Sequence, residues 1–309
     1  MERLKSLAPS GSWYLPKRPF LSAHRLTNLL YFRLKRKTGR DYSFSPPGNS
    51  KIPIDIYIPT LEKDAQMLEL SILNARKYIL HPIANIYIVA PPGSTKLQAI
   101  AKKLDCRFVD ETSIIKLKKD EIDYKVGKLN RNGWIFKMLI NLTADTVCDS
   151  RYILILDADT CFIAPQIFLY KDRPLFNLSN EYHQPYFDAT ERLLGIRHTL
   201  PRSFITHYML FDAEVLRDLR AAIERKWDKP WYQAIVDIII KSEQSGFADY
   251  EVYGDFYRTT NQPRPVLNYW SNESLTLDSF RDFDKVVRKL GQSFRSISLH
   301  NYQEELRDN

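Results

Sequence analysis

The sequence predicts an α/β fold: a mixed, mostly parallel central sheet flanked by helices. Three observations predict it. Short β-branched runs alternate with stretches of helical spacing between residues 51 and 159, the pattern of β-α-β units. Polar residues recur where those runs end, at Thr60, Asp110-Glu111 and Asp157–Asp159, and parallel sheets bind ligands beyond the carboxyl ends of their strands. The 309 residues, 44% hydrophobic and 27% charged, suit a soluble globular chain with a sizeable core.

Residues 1–50 read as a basic extension. "LTNLLYFRLKRKTGR" is a short helical stretch with a basic end, and "DYSFSPPGNSK" is a turn-rich linker. One α/β domain is expected over 51–309. "IPIDIYIPT" (52–60) is its first strand and 64–79 its first helix. "ANIYIVAPPG" (84–93) is a strand closed by Pro-Pro-Gly, "STKLQAIAKKLD" a helix with a Ser/Thr start, and "CRFVDET" a third strand. "GWIFKMLINLTA" (133–144) is a helix and "RYILILDAD" (151–159) a fourth strand. The second half is less regular. Short strands are expected within 174–183, 204–216 and 294–302, helices over 213–227 and 231–244, and a helix or loop from Phe247. Thr206 and His207 open the strand "THYMLF".

Net charge is +8 with a sequence pI of about 9.2, which points to an anionic partner. Within residues 1–40 Glu2 is the one acidic residue among many Lys and Arg, so this segment accounts for the surplus. It implies peripheral contact with an anionic membrane, and nucleic acid is the weaker reading. Cys106, Cys148 and Cys161 are scattered, without zinc-ligand spacing. A sparse, odd count fits a reducing compartment. The chain has no apolar run of about 18 residues, and Pro and charge break up its N-terminus. The expected location is the cytoplasm, with contact at the cytoplasmic face of the membrane.

Asp157 and Asp159 carry the chemistry. Carboxylates at the mouth of a buried strand are costly unless neutralised. A divalent cation such as Mg²⁺ or Mn²⁺ neutralises them and can bridge to substrate phosphates. Two enzyme classes place D-x-D after an apolar strand. The haloacid-dehalogenase type of phosphatase wants Thr or Val two residues after the second Asp, on a first strand; here Cys161 takes that place and the strand is the fourth. Nucleotide-sugar glycosyltransferases of the GT-A type carry the motif mid-chain, and that order matches.

The ordered set "IYIPTLEKD" (56–64), "GWIFKMLINL" (133–142), "YILILDADTCF" (152–162), "FITHYMLFDAEVL" (204–216) and "FADYEVYGDF" (247–256) resembles an uncharacterised bacterial family of GT-A-type glycosyltransferases. One departure is Phe136-Lys137, where that family's helix more often carries Gln. The resemblance implies a GT-A-like sheet and a UDP- or GDP-type sugar donor. It also implies a glycan or glycolipid acceptor and a role in surface polysaccharide or glycolipid synthesis. It makes Asp159 a ligand of Mn²⁺ or Mg²⁺ and turns Asp157 to the ribose or the metal. The donor's base and ribose lie near Thr60 and Asp64, although Asp64 also suits a helix N-cap. Lys137 is expected to reach the diphosphate or snorkel to solvent. His300, at the end of a late strand, is the expected third metal ligand. His207 is expected to bind acceptor hydroxyls or act as general base, and Asp249 or Glu251 to supply the base an inverting enzyme needs. Trp134, Tyr250, Tyr253 and Tyr257 read as sugar-stacking or core residues. The competing readings are a phosphohydrolase with Asp157 as nucleophile and a catalytically degenerate nucleotide-binding scaffold.

Overall fold

The computed structural model describes residues 30–39, 41–44, 46–275 and 283–299. Strands β1 (Ile54–Pro59), β2 (Ile83–Ala90), β3 (Arg107–Asp110) and β4 (Tyr152–Leu156) run parallel. Two short strands follow, β5 (Thr160–Phe162) and β6 (Arg173–Leu178), and then β7 (Tyr208–Asp212). The central sheet has the order β7-β4-β1-β2-β3, with β7 antiparallel at its edge. This is the mixed, mostly parallel sheet expected.

Both faces of the sheet are covered, which is why its strands are nearly continuous apolar runs. All six residues of β1 are buried. Ile54, Ile56 and Ile58 pack in one core with Leu68, Ile72 and Ala75 of helix α1 (Ala65–Tyr78) and Leu97 and Ala101 of α2 (Thr95–Lys103). Tyr57, Ile153 and Ile155 join the opposite core with Ile135, Phe136, Leu139 and Ile140 of α3 (Asn132–Asn141). Each fully buried aliphatic side chain contributes roughly 1.5–3 kcal/mol. Asp55 interrupts β1 without cost because it is saturated: Oδ2 accepts from the Asp149 and Ser150 amides at 2.9 and 2.7 Å, and Oδ1 from Asn85 Nδ2 at 3.1 Å. It fastens the loop that leads into β4.

The C-terminal half adds α4 (Gln184–Leu194), α5 (Ala213–Trp227), α6 (Trp231–Ile238) and α7 (Asp249–Thr260), then β8 (Val266–Tyr269), β9 (Asn272–Leu275), α8 (Phe283–Leu290) and β10 (Ser296–Leu299). Strands β8 and β6 with Leu169–Tyr170 form one small sheet, and β9, β10 and β5 another. Helix α4 lies outside the sequence expectation. It buries Tyr186, Phe187, Ala189, Thr190 and Leu193 and ends on Gly195 at φ +75°, the left-handed conformation in which glycine is strain-free. Helix α6 stops at Ile238, short of the expected 244. The Tyr124 hydroxyl bonds the Glu243 carbonyl and accepts from the Gly246 amide, so this stretch wraps around a side chain instead of continuing the helix.

The stretch from residue 30 packs on the domain. Phe32 is buried in the main core, and Lys35 Nζ donates to the Leu267 carbonyl at 2.9 Å. Among the described residues no helix is long and apolar enough to cross a membrane.

Gly254 explains how α7 holds the chain before β7. A Cβ there would stand 2.5 Å from Phe204 Cδ2, so the bare backbone is what lets that ring pack on the helix. Gly254→Ala is therefore expected to lower stability by about 1–3 kcal/mol, despite alanine's better helix propensity. Thermal unfolding of the two proteins checks this, and an unchanged or raised midpoint would count against the packing account.

Candidate active site

The aspartate pair sits where the chain crosses from one sheet to another. β4 ends at Leu156, a turn closed by the Thr160 amide on the Asp157 carbonyl at 3.1 Å follows, and β5 begins. Three elements fasten this turn. The Asp157 amide donates to the His207 carbonyl at 2.9 Å and the Leu299 amide to the Asp159 carbonyl at 3.1 Å. Ser71 Oγ, from α1, donates to the Thr160 carbonyl at 2.6 Å. The turn opens into a cleft of about 460 Å³ lined by Thr60, Asp64, Lys137, Asp157, Asp159 and His207 among others. Its place is the carboxyl end of the parallel strands.

The site is rich in carboxylates, and they are partly buried. Burial pushes the Asp159 carboxyl up to about 7; the negative charges of Asp157 and Asp64 add to the rise and Lys137 opposes it. Lys137 Nζ lies 2.6 Å from Asp157 Oδ1. Burial disfavours the Lys137 charge, but Asp157, with Asp159 and Asp249 around it, outweighs burial and moves its pKa up. Asp249 lies behind this pair. Burial raises its carboxyl to about 6, opposed by the Asn141 amide, which donates to Oδ2 at 2.8 Å, and by Lys137.

Asp64 precedes α1 but makes no capping hydrogen bond. Its half-buried carboxyl lines the cleft instead, its pKa raised mainly by burial against the opposing charges of Lys63 and Lys137. Thr60, 7% exposed, lines the cleft at the end of β1. His207 immediately precedes β7, and its Nδ1 lies 3.0 Å from Thr160 Oγ1. Glu251 is not among the residues lining the cleft: it is fully buried, accepts from the Phe204 amide at 2.9 Å and pairs with His198. Glu251, expected as a base, is thus placed away from the cleft, on a different side of the helix from Asp249 two residues before it. Tyr250, Tyr253 and Tyr257 are core residues, while Trp134 lines the cleft. His300 lies outside the described residues.

Some cleft residues were given no role from the sequence. Glu111 and Lys119 form an ion pair at its rim, and the Arg131 guanidinium lies 4.1 Å over the Trp134 ring. The signal for Glu111 was present, since it follows β3 at a strand end. Lys119 opens a single 3-10 turn and Arg131 stands just before α3, where no periodicity marks them.

A divalent cation suits this donor set. One ligand atom each from Asp157, Asp159 and His207 lie within 4.8 Å of one another. Donors about 2.1 Å from one Mg²⁺ stand about 3.0 Å apart when adjacent and about 4.2 Å apart when opposite, so a cation would draw the set together by up to roughly 1.8 Å. The desolvated, mutually repelling carboxylates supply the electrostatic reason.

No protein-family model matches the chain, and no curated protein matches it in sequence. Solved structures similar to it include mouse xyloside xylosyltransferase 1 in its apo form, at 12% identity and TM-score 0.41, covering 81% of this chain and 98% of that one. Galactosyltransferase LgtC in complex with donor and acceptor sugar analogues is 10% identical at TM-score 0.41, covering 79% and 86%. The bifunctional glycosyltransferase WbbM is 12% identical at TM-score 0.44, covering 82% of this chain and 46% of that one. At such values the likeness decides nothing about chemistry, which rests on the residues of the cleft.

The cluster that holds Glu251 makes a pH prediction. His198 Nδ1 lies 2.8 Å from Asp255 Oδ2 and 3.0 Å from Glu251 Oε1, and Nε2 is 2.9 Å from the Arg202 carbonyl. Burial opposes its charge, but the two carboxylates outweigh it and raise the imidazole to about 10. A folded-state pKa above the ordinary 6.5 gives stabilisation that is full below about 6.5 and lost as pH rises through about 10. His198→Gln is expected to cost roughly 3–5 kcal/mol near pH 6. The gap from the parent should narrow on titration to pH 10.5. Thermal midpoints across that range test this, and a gap independent of pH would contradict a charged His198.

Proposed function

We propose that the protein is a GT-A-type glycosyltransferase. It moves a sugar from a UDP- or GDP-type donor to a hydroxyl of a glycan or glycolipid acceptor, in surface polysaccharide or glycolipid synthesis. The observation that carries this reading is the pair Asp157 and Asp159 on a pinned turn, with Lys137 beside it, in a cleft at the carboxyl ends of parallel strands. Such a cleft suits a nucleoside diphosphate with a divalent cation.

Asp157 and Asp159 would hold Mn²⁺ or Mg²⁺, which supplies positive charge to the departing diphosphate. Lys137 provides a second positive charge against it. Thr60, Lys63 and Asp64, at the end of β1, face the nucleoside side. Asp249, behind Lys137 and bonded to Asn141, acts as a positioning residue rather than as the acceptor's base.

A partner surface belongs to the same reading. Leu30, Tyr31 and Leu34 are 55%, 54% and 61% exposed on the helix over 30–37, whose other side docks through Phe32 and Lys35. Exposed Arg33 and Lys37 stand among them. Apolar residues rimmed by basic ones suit an anionic lipid surface, where a glycolipid acceptor resides. Sedimentation with phosphatidylglycerol vesicles is expected to carry the protein down, and Leu30→Asp with Leu34→Asp to release it. Equal binding to phosphatidylcholine, or none to either, would sink the idea.

Calorimetric titration tests the donor site. UDP or GDP is expected to bind with Mn²⁺ present and not with chelator, and Asp159→Asn to abolish binding. Binding unaffected by chelator and by the substitution would overturn the proposal, and a trapped phosphoryl adduct on Asp157 would favour the hydrolase. Lys137→Met should act in opposite directions. Removing the ammonium frees Asp157, so Mn²⁺ alone binds more tightly, whereas the nucleotide with Mn²⁺ binds about tenfold more weakly, a loss of ~1.4 kcal/mol. A parallel loss of both would mean that Lys137 serves structure only.

A further inference from the structure

We propose that His207 is the third protein ligand of the cation held by Asp157 and Asp159, and that Thr160 selects the tautomer in which it binds. The inference rests on the reading of the aspartate pair as a cation site. It replaces the expectation of His207 as an acceptor-side base.

The argument begins with register. In the antiparallel pairing of β7 with β4, Tyr208 stands opposite Leu156. One step further along, Asp157 and His207 face each other, and the Asp157 amide donates to the His207 carbonyl at 2.9 Å. Residues directly opposite on neighbouring strands project to the same side. His207 is thereby placed on the side of the Asp157 carboxylate by backbone pairing, not by a flexible loop. The three side chains each offer a ligand atom within 4.8 Å of the others.

Thr160 sets the imidazole. Its buried Oγ1 lies 3.0 Å from His207 Nδ1 and 3.4 Å from Asp159 Oδ1. Asp159 only accepts when ionised, so the hydroxyl proton goes to it and the oxygen accepts from Nδ1–H. The proton is then fixed on Nδ1, which makes Nε2 the nitrogen that would ligate the cation. A ligating histidine whose other ring nitrogen donates to an outer partner is the arrangement by which proteins orient metal ligands. The Trp270 ring, centred 4.9 Å from the imidazole and inclined by 38°, limits the ring's rotation. Two carboxylates with one imidazole favour Mn²⁺ over the harder Mg²⁺.

The test uses the full chain and Mn²⁺ alone, without nucleotide or acceptor. Electron spin-echo spectroscopy of bound Mn²⁺ is expected to show modulation from a directly coordinated ¹⁴N, absent from His207→Ala. Mn²⁺ affinity by titration should fall at least tenfold in His207→Ala and about 10–100-fold in Thr160→Val. Thr160→Ser, which keeps the hydroxyl, should stay near the parent and guards against a simple folding defect. Parent protein that binds Mn²⁺ without nitrogen modulation overturns the inference. So does modulation that survives His207→Ala and disappears in His300→Ala. In both cases the aspartate pair remains a cation site. Failure of the parent to bind Mn²⁺ at all would instead remove the reading on which the inference rests.

Discussion

Everything in the cleft depends on keeping two partly buried carboxylates close together. Asp157 and Asp159 repel each other, and burial presses Asp159 to take up a proton. The protein holds the backbone rather than the charges. β7, β10 and α1 each fasten the turn through a main-chain group. Asp157 meets the Lys137 ammonium and Asp159 the Thr160 hydroxyl, and a cation would sit between the two carboxylates. A turn anchored in this way is preorganised, because the cost of assembling like charges is met in folding and not at each binding event.

The other buried carboxylates show the contrast. Asp55 is saturated by two backbone amides and an amide side chain. Asp255 and Glu251 share the His198 imidazole, and Asp249 accepts from Asn141. Each of these serves architecture. Asp55 ties the loop before β4, and the His198 cluster ties the chain before β7 to α7. That helix brings Asp249 behind Lys137. The structural carboxylates thus converge on the position of the functional ones. A fault in the His198 cluster would be felt at the cleft through α7, although no atom of the cluster lines it.

The strands of the central sheet, the first three helices and the aspartate pair were legible in the sequence because their signals are local. Apolar runs, turn residues and a motif at a strand end need no knowledge of distant partners. The fourth-strand position of the motif follows from the same signals. What was not legible depends on long-range pairing. The meeting of His207 with Asp157 comes from an antiparallel register between residues fifty apart in sequence. Glu251 looked equivalent to Asp249 until the segment proved to be a helix, which turns the two apart. Asp64 had the sequence of a cap, yet its carboxyl lines the cleft. Helix α4 was missed because its apolar positions are broken by Pro, Asp and Arg, and its burial is supplied by α5, α6 and α7.

The central claim is that the turn of Asp157–Asp159 holds a divalent cation on a nucleoside diphosphate. Crystals grown with Mn²⁺ and UDP or GDP, measured for anomalous scattering at the manganese edge, test it most directly. The account predicts one anomalous peak between the two carboxylates, bridged to the diphosphate, with Lys137 drawn from Asp157 toward a phosphate oxygen. Nucleotide bound elsewhere, or bound in the cleft with no manganese at the aspartates, would contradict it.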